Sequence, residues 1–204
     1  MKVNLRKNIE FGILFGLICA ILLSFAKFES RCEELRNGVL RLHIVANSDS
    51  EADQNLKLAV RDEILKNSTQ FFKECVNVDD AILAASNNIE DINFIANNVL
   101  RRNGFDYNAN VYVGDKFFGT REYDDFTLPA GMYKSIIVDL GEAKGKNWWC
   151  VVFPCVCAPT ASDVDLSDSV TIDAANVAKS APEYQFRFKT IEFYERIKKK
   201  FSKK

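Results

Sequence analysis

The sequence predicts an α+β fold, in which an antiparallel sheet is covered by two long N-terminal helices and followed by a C-terminal helix. Apolar residues recur at helical spacing over residues 50–104, whereas strand-like alternation dominates residues 107–153. Helices grouped before strands favour α+β over the alternating order of an α/β protein. The chain contains 16 phenylalanines, so it has enough large apolar side chains for a core.

Residues 38–46 alternate apolar and polar side chains, which predicts one half-buried strand ahead of the helices. The run Asn-Ser-Asp-Ser at residues 47–50 then favours a turn. Ser50 and Asp53 have the spacing of a capping box, with Asp in place of the usual Glu or Gln. The first long helix is therefore expected to run from this cap to about Phe72.

The second long helix is expected to begin with a cap at Asp79 or Asp80 and to end at Gly104. Its apolar residues alternate steps of three and four, which is the spacing of one helix face. They are Ile82, Ala85, Ile89, Ile92, Ala96 and Val99. Only about three heptads exist, so packing on the sheet is favoured over a coiled coil.

The second half of the chain predicts mainly strands, followed by a surface segment and a closing helix. Residues 111–118 predict a hairpin with its turn at Gly114 and Asp115, since glycine readily supplies a positive φ. Residues 132–140 and 147–153 predict a second strand pair, joined by a loop at 141–146. Residues 158–182 are poor in large apolar side chains and predict a long surface segment. Residues 184–188 predict a last strand, and a helix is expected to close the chain.

The N-terminus has the layout of an export signal. Lys2, Arg6 and Lys7 precede an uncharged apolar stretch at residues 11–26, which ends in the small residues Ser24 and Ala26. A permanent span needs about 20 apolar residues, so this stretch is short for one. Residues 1–26 are interpreted as a signal peptide or a membrane anchor, and the sequence leaves both open. Residues 27–204 are then expected to form a single extracytoplasmic domain.

Charge and cysteine content narrow the function classes. The chain has 27 basic and 28 acidic residues, a balance that gives no support for nucleic-acid binding. With no CxxC motif and one histidine, a zinc site is not expected, and no metal or cofactor is predicted. Cys150 and Cys157 flank Phe153 and Pro154, so these two cysteines are the candidate pair for a disulfide outside the cytoplasm, with Cys155 as a competing partner for either of them. The pairing of Cys32, Cys75 and Cys155 stays open.

Two chemical interpretations of residues 41–53 need weighing. His43, Ser48 and Asp49 are the residue types of a catalytic triad, but the histidine lies within a strand pattern and the serine in a capping turn. The acidic positions fail the EF-hand pattern, which requires Gly at its sixth position and Glu at its twelfth. Adjacent Trp148 and Trp149 alternate across a strand, so at most one of them can face the core fully, and the other is either a lid on the core or an anchor for a partner.

Three stretches together resemble the stage II sporulation protein R family of endospore-forming bacteria. They are residues 41–62 (beginning RLHIVANSDS), residues 127–133 (TLPAGMY) and residues 145–157 (GKNWWCVVFPCVC). The resemblance runs over residues 34–159, with a looser echo at 187–189. One departure from the family pattern is Cys155, which stands where a second proline is usual.

The resemblance implies a signalling protein rather than an enzyme. It implies export from the forespore into the intermembrane space, where the protein activates a membrane-embedded aspartic protease. That protease processes the sigma-E precursor in the mother cell. An extracytoplasmic hydrolase with its site at residues 41–53 is the alternative. The candidate partner-binding residues are Arg41, His43, Asn47, Ser48, Asp49, Asp53, Trp148 and Trp149.

Overall fold

The computed structural model describes residues 5–123, 126–154, 170–179 and 181–201. Its helices are α1 (Leu5–Asn37), α2 (Glu51–Phe71), α3 (Val78–Asn87), α4 (Ile89–Arg102), α5 (Ile172–Lys179) and α6 (Ala181–Phe201). Its strands are β1 (Leu40–Val45), β2 (Ala109–Phe118), β3 (Arg121–Glu122), β4 (Thr127–Leu128), β5 (Gly131–Leu140) and β6 (Asn147–Phe153). The predicted α+β class is confirmed.

The main sheet has four strands in the order β2-β5-β1-β6. β2 with β5 and β1 with β6 are antiparallel, but β1 and β5 are parallel, so the sheet is mixed and not wholly antiparallel as predicted. Every residue of β1 is buried, which suits a central strand. β1 therefore lies between β5 and β6, and the prediction that these two strands pair with each other is wrong.

α2, α3 and α4 cover one face of this sheet. The Ser50 hydroxyl accepts a hydrogen bond from the Asp53 amide at 3.2 Å, which confirms the predicted N-cap of α2. The second predicted helix is divided at Asn88 into α3 and α4. Its cap is Asn77, whose side chain accepts from the Asp80 amide at 2.9 Å, and not Asp79 or Asp80. Both helical segments still bury the predicted apolar face against the sheet.

β2 is one strand of ten residues, so the predicted hairpin at Gly114 and Asp115 is wrong. Gly114 lies opposite Ser135, and Asp115 lies opposite Lys134 with their side chains in an ion pair at 3.0 Å. Among the described residues, positive φ angles occur at Gly104, Gly131, Gly141 and Ala143 only. Because β2 pairs with β5 along its whole length, Gly114 remains in extended backbone.

The other face of the sheet is covered by the second half of α1, by α5 and by a ribbon of β3 and β4. The predicted strand at 184–188 is wrong, because these residues lie within α6. α6 buries Phe188, Ile191 and Glu195, whose spacing of three and four is helical. α5 lies inside the predicted surface segment at 158–182, of which residues 158–169 and 180 lie outside the described residues.

α1 is a single helix of 33 residues that changes character along its length. Its first part exposes large apolar side chains, including Phe11, Phe15 and Leu23 at 68, 69 and 72% exposure. Its last part buries Phe28, Cys32 and Leu35 in the domain. By length and composition, residues Lys7–Asn37 form a helix able to cross a membrane. An N-terminal apolar helix therefore fits a signal peptide or anchor, and the boundary at residue 26 stays a prediction.

Candidate partner-binding site

The turn after β1 and the first turn of α2, residues 47–53 (together called the polar turn), are organised around the buried Asp53 carboxylate. This carboxylate accepts hydrogen bonds from the Ser48 hydroxyl at 2.5 Å, the Asn47 amide at 3.0 Å and the Tyr107 hydroxyl at 2.5 Å. The chain turns before α2 because the Ser50 hydroxyl must lie at the Asp53 amide in order to cap this helix. One carboxylate thus fixes three side chains from two parts of the fold.

The polar turn is also joined to the loop between β5 and β6. Asn47 accepts from the Glu142 amide at 2.9 Å, and Asp49 accepts from the Lys146 amide at 2.7 Å. A Cβ added to Gly145 would lie 2.2 Å from the Ser48 carbonyl oxygen, so the two backbones meet as closely as glycine allows. Because its side chains are bonded on both sides, the polar turn is a rigid part of the scaffold. Asp49 and Glu51 are its exposed acidic members.

Ionisation of this network follows from its hydrogen bonds. Burial raises the pKa of Asp53, but hydrogen bonds from Ser48, Tyr107 and Asn47 outweigh burial and hold this pKa below its ordinary value. Burial and the Asp53 carboxylate raise the pKa of the Tyr107 hydroxyl. Asp53 is therefore charged and Tyr107 neutral at neutral pH. Nearby, burial lowers the pKa of Lys57, whose ammonium group bonds the Lys146 carbonyl at 3.2 Å.

A second group lies on the sheet face below the β3–β4 ribbon, and we call it the cation–aromatic cluster. It stacks three cationic or imidazole side chains with three aromatic rings from β1, β2, β3, β5 and β6. Its members are Arg41, His43, Phe118, Arg121, Tyr133 and Trp149. Guanidinium groups favour such positions because the faces of aromatic rings are electronegative.

Arg41 is the centre of this cluster and is fully buried. Its guanidinium carbon lies 3.9 Å from the centre of the Phe118 ring and 4.8 Å from that of Tyr133. One terminal nitrogen donates to the Tyr123 hydroxyl at 2.6 Å. Its Nε and other terminal nitrogen have no hydrogen-bond partner in the part of the chain that the structure describes. Burial of this guanidinium costs free energy, because aromatic rings take the place of the water and the carboxylate that would otherwise stabilise its charge.

His43 and Trp149 form the outer part of the cluster. Their rings stack with centres 6.2 Å apart, and the Arg121 guanidinium lies 3.8 Å from the Trp149 ring centre. Burial, with smaller contributions from Lys116 and Arg41, lowers the pKa of His43 to about 4. His43 is thus neutral at neutral pH. Trp149 is half-buried, so the cluster reaches solvent at this ring.

Trp148 points to the opposite face of β6, as the predicted alternation required. It packs against the core under α2–α4, and the Arg61 guanidinium lies 4.4 Å from its ring centre. Among the residues that the structure describes, none is hydrogen-bonded to its indole nitrogen. The two tryptophans therefore belong to different surfaces and cannot form one anchor.

The candidate residues consequently divide into two groups. Asn47, Ser48, Asp49 and Asp53 form the polar turn, whereas Arg41, His43 and Trp149 belong to the cation–aromatic cluster. Sequence reasoning missed Tyr107, Arg121 and Phe118, because each joins its group across a long separation along the chain. Cys150 is buried, and its predicted partner Cys157 lies outside the described residues, so the disulfide stays a prediction.

The arrangement is suited to binding rather than to nucleophilic chemistry. The Ser48 hydroxyl donates to Asp53, and His43 lies among aromatic rings in a neutral state. In the described residues, no imidazole is thus hydrogen-bonded to that hydroxyl as the triad mechanism requires. What the surface offers is the exposed Asp49 carboxylate and the half-buried Trp149 ring.

Fold and site together describe an α+β domain carried on a long apolar N-terminal helix. Residues 36–163 match the sequence profile of the family described as stage II sporulation protein R. Stage II sporulation protein R of Bacillus subtilis (strain 168) is 33% identical over 150 residues, which cover 71% of this chain and 67% of that protein. No solved structure matches the chain. The chain belongs to the stage II sporulation protein R family.

Proposed function

We propose that this protein is an exported signal of endospore formation that activates a membrane-embedded aspartic protease. In this proposal the chain leaves the forespore and acts in the intermembrane space. The protease then processes the sigma-E precursor in the mother cell. Family membership carries the proposal, and the apolar N-terminal helix supports the route.

Activation would occur by binding alone. A ligand shifts a two-state protease only through its different affinities for the active and inactive states. A change from nearly off to nearly on needs roughly a 10⁴-fold difference in affinity. A rigid patch loses little conformational entropy on binding, and the polar turn and the cation–aromatic cluster are both held by contacts within the fold. Asp49 and Trp149 are the contact residues in this proposal, while Arg41, His43 and Asp53 position them.

Co-expression in a non-sporulating host tests the activation. The host would contain this chain, the candidate protease and the tagged sigma-E precursor, with processing followed by immunoblot. Processing should require all three proteins and should disappear when an active-site aspartate of the protease is replaced. Equal processing without this chain, or cleavage of the precursor by the purified chain alone, would overturn the proposal.

Two variants test the contact residues. Asp49→Asn removes the charge but keeps an oxygen for the Lys146 amide, and Trp149→Ala removes the half-buried ring. Both should reduce processing while the amount of folded protein stays near wild type. Asp79→Asn, at an exposed acidic position on α3, is the matched control and should process normally. If the Asp49 and Trp149 variants also process normally, the contact lies elsewhere.

The alternative hydrolase is not favoured by any contact described above. Its nucleophile would be Ser48, whose hydroxyl donates to Asp53. Its base would be His43, whose lowered pKa and aromatic surroundings suit a packed, neutral imidazole. Turnover of a cell-wall or peptide substrate by the purified chain, abolished in folded His43→Ala, would reinstate the hydrolase.

A further inference from the structure

α6 has two faces, and only one of them is used by the fold. Phe188, Ile191 and Glu195 are buried against the rest of the domain. The outward face carries large apolar side chains at a spacing of four residues, with one further ring beside them. They are Phe193, Tyr194, Ile197 and Phe201, with 68, 43, 40 and 73% exposure. We call these four residues the α6 stripe.

Cations flank the α6 stripe on both sides. Lys189 and Lys200 lie along one side of the helix and Lys198 lies along the other. Arg196 is paired with Glu192 at 2.6 Å, and the other acidic residue between 187 and 201 is the buried Glu195. Within residues 187–201, the outward half of α6 thus presents apolar and basic side chains, and its one partly exposed carboxylate, Glu192, is paired with Arg196.

The α6 stripe is continuous with the apolar part of α1. The Phe25 and Tyr194 rings meet edge to face with centres 6.3 Å apart. At the start of the described α6 side chains, Arg187 lines a groove with Ile21, Ser24 and Phe28 of α1. Arg187 and Tyr194 of α6 therefore lie beside the residues where the exposed apolar part of α1 ends.

We infer that α6 is an interfacial helix that lies on an anionic lipid surface, with the α6 stripe inserted at the level of the headgroups. An apolar stripe flanked by lysines matches such helices, because long basic side chains reach the phosphates while the apolar residues are inserted. The negative surface potential of anionic lipids adds attraction for each lysine. This inference rests on the proposed function only in placing α1 at the membrane.

A second copy of the chain is a weaker occupant of this face. Pairing two α6 stripes would bring the flanking lysines of both copies close together, and like charges oppose association. A lipid surface supplies the opposite charge instead. The family match ends at residue 163, so α6 lies beyond the matched region.

Depth-dependent fluorescence quenching tests the inference on the full chain. The chain would be reconstituted into vesicles of phosphatidylcholine with phosphatidylglycerol, with or without brominated acyl chains. Phe193→Trp places a reporter in the α6 stripe, and Phe94→Trp is the control at 69% exposure on α4. After subtraction of the wild-type signal, Trp fluorescence from the position 193 variant should be blue-shifted and quenched about two-fold or more by bromine. The position 94 variant should show neither effect.

A second experiment changes the charge of single lysines and uses the same tryptophan reporter at position 193. Lys200→Glu should weaken quenching of the Phe193→Trp variant, whereas Lys66→Glu, at an exposed position on α2, should leave quenching unchanged. Equal quenching at positions 193 and 94, or equal quenching in vesicles of phosphatidylcholine alone, would overturn the inference. A dimer that dissociates on Phe193→Asp would overturn it in favour of a second copy. The assay contains neither protease nor precursor, so its outcome is independent of whether activation occurs.

Discussion

β1 contributes to both faces of the main sheet, and the two faces are built from different side chains. Towards α2–α4 it presents Leu40, Leu42 and Ile44, all within a core of mainly aliphatic side chains. Towards the β3–β4 ribbon it presents Arg41 and His43, both buried among aromatic rings. The aliphatic face stabilises the fold by removing apolar surface from water. The aromatic face holds polar groups whose burial costs free energy, so that face is the better candidate for a function beyond folding.

The largest expected effect belongs to the aliphatic face. Leu42→Ala should lower the free energy of unfolding by about 2–5 kcal/mol, since it removes buried methyl groups and leaves a cavity. Urea denaturation of the full chain in detergent measures this. Leu83→Ala, at a position with 61% exposure on α3, should change it by less than about 0.5 kcal/mol. Similar losses in both variants would mean that burial does not distinguish these positions.

pH should act on the aromatic face through His43. Its pKa is lowered from 6.5 to about 4 in the fold, so the unfolded chain takes up this proton first as pH falls. The contribution is complete above about pH 6.5 and should be lost towards pH 4, by about 3 kcal/mol in total. The free energies of unfolding of wild type and His43→Gln, compared across this pH range, separate the contribution of His43 from that of the carboxylates.

His43 is the only histidine, so its imidazole resonance can be followed by NMR without ambiguity. A titration midpoint near 6.5 in the folded protein would show that the imidazole is accessible to solvent. The contrast between the two faces would then be lost at this position.

In the first turn of α2, Asp53→Asn tests the polar turn. The substitution removes the charge that Ser48 and Tyr107 donate to, so about 1.5–3 kcal/mol of stability should be lost at pH 7. Because the folded pKa of Asp53 is below its ordinary value, its contribution is present above that ordinary value and is lost as pH falls through the folded pKa. The difference between wild type and variant should therefore be constant from pH 5 to 8 and shrink below about pH 4. A difference that persists unchanged into acid would contradict the ionised network.

The smallest change in stability is expected when the fully buried guanidinium of Arg41 is removed. Arg41→Met keeps most of the volume, loses the cation–aromatic contacts and the Tyr123 hydrogen bond, and also removes two unpaired donors. These terms oppose each other, so stability should change by about 1 kcal/mol or less in either direction. Arg41→Ala should be clearly worse because it also leaves a cavity. A loss above about 3 kcal/mol in Arg41→Met would show that the cation is itself stabilising.

The elements that local patterns specify were predicted well. Ser50 caps α2 as its spacing to Asp53 indicated, although the Ser50 amide donates to Ser48 and not to the Asp53 carboxylate. Residues 132–140 and 147–153 lie in strands as predicted. Errors arose where a distant partner decided the structure. Gly114 had the sequence of a turn, but β5 extends past it and holds it in a strand. Residues 184–188 alternate like a strand, yet the packing of Phe188 and Ile191 continues a helix through them.

The candidate site shows the same limit. The residue types of the polar turn were recognised, but Asp49 reaches Lys146, 97 residues away, and Asp53 reaches Tyr107, 54 residues away. Nothing in the local pattern at residues 47–53 encodes those partners. Likewise, Arg41 was identified on the polar face of a strand, where an exposed guanidinium was the simple expectation. Its burial depends on Phe118 and Tyr133, which only the sheet register brings together.

The unbroken course of α1 has a geometric consequence for the anchored form of the protein. Phe28, Cys32 and Leu35 fix the rotation of this helix against the domain, and no loop separates them from the exposed apolar part. The direction in which the domain faces along the bilayer is therefore set by helix phase. One residue inserted near Lys27 would turn the domain by about 100° about the helix axis and raise it by about 1.5 Å. Seven inserted residues would return it to within about 20° of its original azimuth but about 10 Å further from the lipid.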